Sequence, residues 1–77
     1  MRVKLFANLR EIVGESEIAV KADTIEDLFK KLVDMYPEIR PHLCHVTVVV
    51  NCNKVDDLNR KLNDDDIVAL LPPFSGG

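Results

Sequence analysis

Over the first six residues apolar and charged side chains alternate. Val3 and Leu5 fall on one side of an extended chain and Arg2, Lys4 and Phe6 on the other, which predicts a strand over 2–6 with one face buried. Residues 7–14, "ANLREIVG", carry Leu9, Ile12 and Val13 at helical spacing with Gly14 as a stop, so a loop or short helical turn is expected there. "SEIAV" (16–20) reads as a second strand, paired as a hairpin with the first. From Thr24 the period changes. Ile25, Leu28, Phe29, Leu32, Val33 and Tyr36 lie at i, i+3, i+4, i+7, i+8 and i+11, a single stripe on an amphipathic helix. Thr24 is the expected N-cap, Glu26 and Asp27 suit the positive end of the helix dipole, and Pro37 stops the helix beyond Tyr36.

Two later runs are apolar without a helical period. "HVTVVVN" (45–51) is β-branched and predicts a central strand, and "IVALL" (67–71) predicts another. "NCN" (51–53) and "NDDD" (63–66) are turn signals, and a short strand is expected near 54–56. The resulting order of β, β, α, β, a short strand and β describes an α+β fold, with one main helix across one face of a mixed four- or five-stranded sheet. A single helix covers one sheet face only. Yet every position of 67–71 is apolar and Phe6 points away from Val3 and Leu5, so part of the second face is expected to be exposed and apolar, which on a monomer points to a protein partner.

Composition narrows the function classes. Seventy-seven residues make one small domain, expected over 1–73, with 74–77 as a flexible tail and no room for elaborate active-site architecture. Thirteen acidic against ten basic side chains give a net charge of −3, and no basic block appears, which argues against nucleic-acid binding. The apolar runs are too short for a membrane span of about 20 residues, and the N-terminus lacks a signal-peptide core, so a soluble cytoplasmic protein is expected. Cys44 and Cys52 are then expected to remain thiols.

The last eight residues, "LLPPFSGG", carry the candidate chemistry. Pro72 and Pro73 offer no N–H to a neighbouring strand, so they end the sheet and hold the departing chain extended. Phe74 is an apolar anchor, Ser75 is small, and Gly76 and Gly77 have no side chain to obstruct entry into a narrow site. Five residues past Pro72 reach about 17 Å at roughly 3.4 Å per residue. Such a probe presents the α-carboxylate of Gly77 as a handle that another enzyme can activate, for instance as an acyl-adenylate; for that role the domain itself needs no base, nucleophile or metal.

On these residues the chain resembles the ubiquitin-like sulfur carriers of the β-grasp fold, most closely the MoaD family of molybdopterin synthase small subunits within the MoaD/ThiS superfamily. The resemblance runs over "KLFANLREIVG" (4–14), "TIEDLFKKL" (24–32), "VVVN" (48–51) and above all "LNDDDIVALLPPFSGG" (62–77). It departs from the family at Cys52 and Asp64, where glycine is common, and over 56–61. The resemblance implies that Gly77 is adenylated by a ubiquitin-activating-type enzyme using ATP and becomes a thiocarboxylate. It implies that the tail enters the large subunit of molybdopterin synthase and passes sulfur to a cyclic pyranopterin precursor. Gly76 is then the slim approach, and Phe6, Leu71, Pro72, Pro73, Phe74 and Ser75 form the docking surface. No cofactor is expected to be bound. Rival readings are a protein modifier joined to lysines through Gly77, a sulfur carrier for thiamine or tRNA thiolation, and an interaction module with an inert tail.

Other chemistry-bearing residues carry less. His42, Cys44, His45 and Cys52 match no standard zinc spacing, and consecutive Asp64, Asp65 and Asp66 do not reproduce an alternating calcium loop, so a solvated turn is expected. Lys30, Lys31 and Arg40 are expected on solvent faces, and Arg10 and Glu11 in a local ion pair or against an activating enzyme, the ion pair being favoured.

Overall fold

The computed structural model describes residues 1–73. The expected alternation at the N-terminus forms β1 (Arg2–Leu5), with Val3 and Leu5 buried and Arg2 and Lys4 exposed. The next segment is a full helix, α1 (Ala7–Val13), anchored by buried Leu9. It ends at Gly14, whose φ of 88° is the left-handed conformation that lets its N–H return to the Arg10 carbonyl at 2.8 Å. β2 (Glu17–Ala19) then pairs antiparallel with β1.

α2 (Ile25–Met35) buries Ile25, Leu28 and Leu32, each contributing roughly 1.5–3 kcal/mol of hydrophobic stabilisation. The first four amides of a helix have no intrahelical partner, and here those of Ile25, Glu26 and Asp27 each find one. Asp27 N–H donates to Thr24 Oγ1 at 3.1 Å, the expected cap. The Ile25 and Glu26 amides donate to the carbonyls of Arg60 and Leu58 at 3.2 and 2.9 Å. The irregular 56–66 segment is therefore held as the cap of α2, reinforced by an isolated bridge between Thr24 and Lys61 and by buried Leu62.

After α2, Pro37–Ile39 forms a 3-10 turn that runs into α3 (Arg40–Leu43), and both bury an apolar residue, Ile39 and Leu43. Neither element was expected from the sequence. Ile39 and Leu43 are too short a pattern to separate from a loop, and they are ordered by the core they fill. β3 (Thr47–Val50) and β4 (Asn53–Val55) make a two-residue hairpin, and β5 (Ile67–Leu71) follows.

The sheet has five strands in the order β2-β1-β5-β3-β4. β5 lies parallel to β1 and antiparallel to β3, so both runs expected as central strands are interior, with β5 in the middle and β3 between β5 and β4. This is the mixed β-grasp sheet. Val3, Leu5, Val48, Val50, Val68 and Leu70 form its inner face against Leu28, Leu32, Ile39 and Leu43.

Candidate functional site

β5 positions the candidate site because it carries apolar residues on both faces and delivers the chain to Pro72 and Pro73. Its burial alternates. Val68 and Leu70 are fully buried, Ala69 and Leu71 are half-buried, and Ile67 is exposed. Register then assembles the outer face. Leu71 pairs with Thr47 and Ala69 with Val49 on one side, and Ala69 pairs with Lys4 and Ile67 with Arg2 on the other. Phe6, in extended backbone (φ −127°, ψ 154°) one residue beyond the Leu5–Leu70 pair, continues this face beside Leu71. Phe6 and Ile67, at opposite ends of this face, are 42% and 43% exposed.

Among the residues expected in the docking surface, Phe6 and Leu71 thus share one face, Pro72 is half-buried and Pro73 exposed. Phe74, Ser75, Gly76 and Gly77, and with them the expected tail, lie outside the described residues. Sequence reasoning missed Ile67, Ala69 and Val49 as members of this face. The alternation of β3 and β5 was the available signal, but an unbroken apolar run hides which parity faces the helix.

The charged rim is specific. Arg2 donates to Glu17 Oε2 at 2.6 Å on the β1–β2 side, an exposed pair that contributes at most about 1 kcal/mol. Lys4 and Lys54 have no carboxylate partner among the described residues. The expected Arg10–Glu11 ion pair is likewise absent among them, and Lys31 is not simply solvent-facing: its Nζ donates to the Lys21 carbonyl and lies 3.6 Å from Asp27.

A polar lock holds the far end of β5. Asp66 is buried rather than solvated, which corrects the expectation for 64–66. Its carboxylate accepts from the Asn63 backbone N–H and from Asn51 Nδ2, both at 2.9 Å, while Asn51 Oδ1 accepts from the Ile67 N–H at 3.0 Å. The Asn63 amide and then the Asn51 side chain hold Asp66 below its ordinary value of 3.8, against the opposing effect of burial. Asn51 and Cys52 themselves have φ of 49° and 72°, the left-handed pair that a two-residue hairpin demands and that Asn-Gly best satisfies. The geometry explains why glycine is the easier residue at Cys52. Asp64 needs no such conformation: it is not among the residues with positive φ.

No metal centre gathers from the sequence candidates. Cys44 precedes β3 and Cys52 follows it, about 13 Å of strand apart, and His42 Nδ1 lies 3.2 Å from Asn8 Nδ2. Among the described residues no three His, Cys, Asp or Glu side chains converge, and no helix is long and apolar enough to cross a membrane.

Comparison with known proteins locates this architecture. The family model described as the ThiS family matches residues 3–77. The molybdopterin synthase sulfur carrier subunit of Dictyostelium discoideum is 32% identical over 81 residues, covering 99% of this chain and 94% of that protein. The solution structure of small archaeal modifier protein 1 from Methanosarcina acetivorans superposes with a TM-score of 0.88 at 30% identity, covering 99% and 94% of the two chains. A chain in the complex of subunits 1 and 2 of molybdopterin-converting factor from Helicobacter pylori is comparable, with a TM-score of 0.72 at 26% identity and coverage of 99% and 96%. The β-grasp sheet, the exposed apolar face and the near-complete family match lead to one assignment: the chain belongs to the ThiS family, the ubiquitin-like sulfur carriers of the ThiS/MoaD group.

Proposed function

We propose that this sulfur carrier serves molybdopterin synthesis as the small subunit of a heteromeric synthase. Gly77 is the reacting residue. Its carboxylate attacks the α-phosphorus of ATP on a ubiquitin-activating-type enzyme, releasing pyrophosphate and leaving an acyl-adenylate. A sulfide-level nucleophile then displaces AMP to give the thiocarboxylate. The tail enters the large subunit, where the sulfur attacks a cyclic pyranopterin precursor; Gly76 and Ser75 give clearance and Phe74 anchors. Phe6, Leu71, Pro72 and Pro73 belong to the docking face, extended by Ile67, Ala69 and Val49.

The observation that carries this reading is β5. It ends at a half-exposed apolar face and is followed by Pro-Pro-Phe-Ser-Gly-Gly, in a chain aligned over nearly its whole length with a molybdopterin synthase sulfur carrier subunit. The resemblance to small archaeal modifier protein 1 favours a second reading, in which the same activated carboxylate acylates lysines of target proteins. Mass spectrometry of the C-terminal peptide, after incubation with ATP, a sulfur donor and host extract, separates them. One oxygen of Gly77 replaced by sulfur supports the carrier, and an isopeptide bond from Gly77 to lysine supports the modifier. An unaltered carboxylate, under conditions that charge a known carrier, overturns both.

A further inference from the structure

One row of paired residues crosses the outer face without interruption: Glu17, Lys4, Ala69, Val49 and Lys54, on β2, β1, β5, β3 and β4 in turn. Glu17 is engaged by Arg2, which leaves Lys4 and Lys54 as two ammonium groups with no carboxylate partner among the described residues, on either side of the apolar pair Ala69 and Val49. The strands that carry them are three spacings apart, about 14 Å. Ile67 on one side of the row and Leu71 with Phe6 on the other complete that centre. This cationic bracket runs against the composition, since the whole chain is acidic at −3. The carboxylates are concentrated elsewhere: Glu26, Asp27 and Asp34 on α2, and Asp57, Asp64 and Asp65 in the turns, with Asp56 just past β4 at the rim. Lysine stems also lie along apolar surface while their charges stay in water, so Lys4 and Lys54 extend the apolar area and mark its edges.

We propose that the partner received by this face presents an apolar centre flanked by carboxylates that meet Lys4 on one side and Lys54 on the other; this deepens the sulfur-carrier reading and rests on it. Two separated cations around an apolar patch do not track a phosphate backbone. They steer a protein of opposite rim charge and fix its orientation, so that the tail following Pro73 arrives at one place on the partner. The apolar centre supplies affinity, and the lysines supply approach and register.

The test is calorimetric titration of the full chain against the molybdopterin synthase large subunit and the adenylating enzyme of the same host. Wild type, Lys4→Glu/Lys54→Glu and a control of equal charge change on the helical side, Lys30→Glu/Arg40→Glu, are compared. Expected is a loss of about tenfold or more in affinity for the outer-face double variant and little change for the control, with wild-type binding weakening as salt is raised. Lys4→Gln/Lys54→Gln, which removes charge without adding repulsion, is expected to lose several-fold and serves if the reversed variant does not fold. Wild-type binding that neither double variant changes by more than twofold overturns the bracket and leaves the sulfur-carrier reading standing. Failure of wild type to bind either protein overturns both.

Discussion

Leu70 and Leu71 are consecutive, chemically identical and part of the same strand, yet Leu70 is fully buried and Leu71 only half covered. The difference is one step of strand parity. On the inner face Leu70 packs into the core with Val3, Leu5, Val48 and Val68, roofed by α2 and α3. On the outer face Leu71 shares an uncovered surface with Phe6, Ile67, Ala69 and Val49. Apolar character therefore has two settings within five residues of β5: it holds the fold on one side and stays partly exposed on the other. A sheet with helices on one side only imposes this division, because strand residues project alternately to the two faces.

The sharpest way to break the comparison is to truncate each leucine. Leu70→Ala opens a cavity that its neighbours cannot collapse to fill, and a loss of about 2–5 kcal/mol is expected in urea unfolding, a large share of the stability of so small a domain. Leu71→Ala is expected to cost less than about 1 kcal/mol in the same assay. Equal losses would show that both faces belong to the core.

Asp66 has the inner parity of Val68 and Leu70, but it is polar and locks the start of β5 to the β3–β4 turn. Asp66→Ala leaves the Asn63 amide and Asn51 Nδ2 without their acceptor, a cost of about 1–3 kcal/mol. The native carboxyl titrates below its ordinary value of 3.8, so its contribution is fully present above that pH and is lost as pH falls through the lowered native value. Stability followed from pH 7 to pH 2 is therefore expected to converge for wild type and Asp66→Asn at the acid end. A gap independent of pH would show that the carboxylate charge is irrelevant.

The hairpin that sets which valines of β3 face inward carries Cys52 at φ 72°. Cys52→Gly relieves a left-handed conformation that costs a side-chain-bearing residue about 1 kcal/mol. A rise in the thermal midpoint of several degrees is expected. The smallest effect on stability is expected where the effect on binding is large. Ile67→Ser is predicted to change stability by no more than about 0.5 kcal/mol while weakening binding to the large subunit at least about tenfold, as removal of a central apolar contact does. A variant that unfolds, or that binds as wild type does, would move Ile67 out of the docking face.

Legibility followed the range of the interactions. α2 was readable to its ends because its stripe, its Thr24 cap and Pro37 are written within a few residues of one another. The carbonyls of Leu58 and Arg60 that satisfy its first amides come from more than thirty residues away, and no local pattern announces them. The turn at Asn51 was legible as a turn, but its tie to Asp66 required β3 and β5 to be neighbours. Phe6 and Leu71 were recognisable as apolar residues with no helix to cover them; Ile67, Ala69 and Val49 joined them only once pairing assigned parity to two unbroken apolar runs. The "NDDD" segment looked hydrophilic throughout, and burial of its last residue depends on a partner 15 positions away.

The sequence by itself determined the elements whose signals are local: the alternation of β1, the amphipathic α2, the two β-branched runs and the Pro-Pro-Phe-Ser-Gly-Gly ending. Tertiary structure alone decided that β5 takes the middle of the sheet, which apolar residues remain outside, where Asp66 is buried, and that Lys4 and Lys54 bracket one face. Periodicity is set by the geometry of a single segment and survives in the amino-acid order. Strand neighbours and face assignment are set by pairing between distant segments, and come into being only when the chain closes on its core.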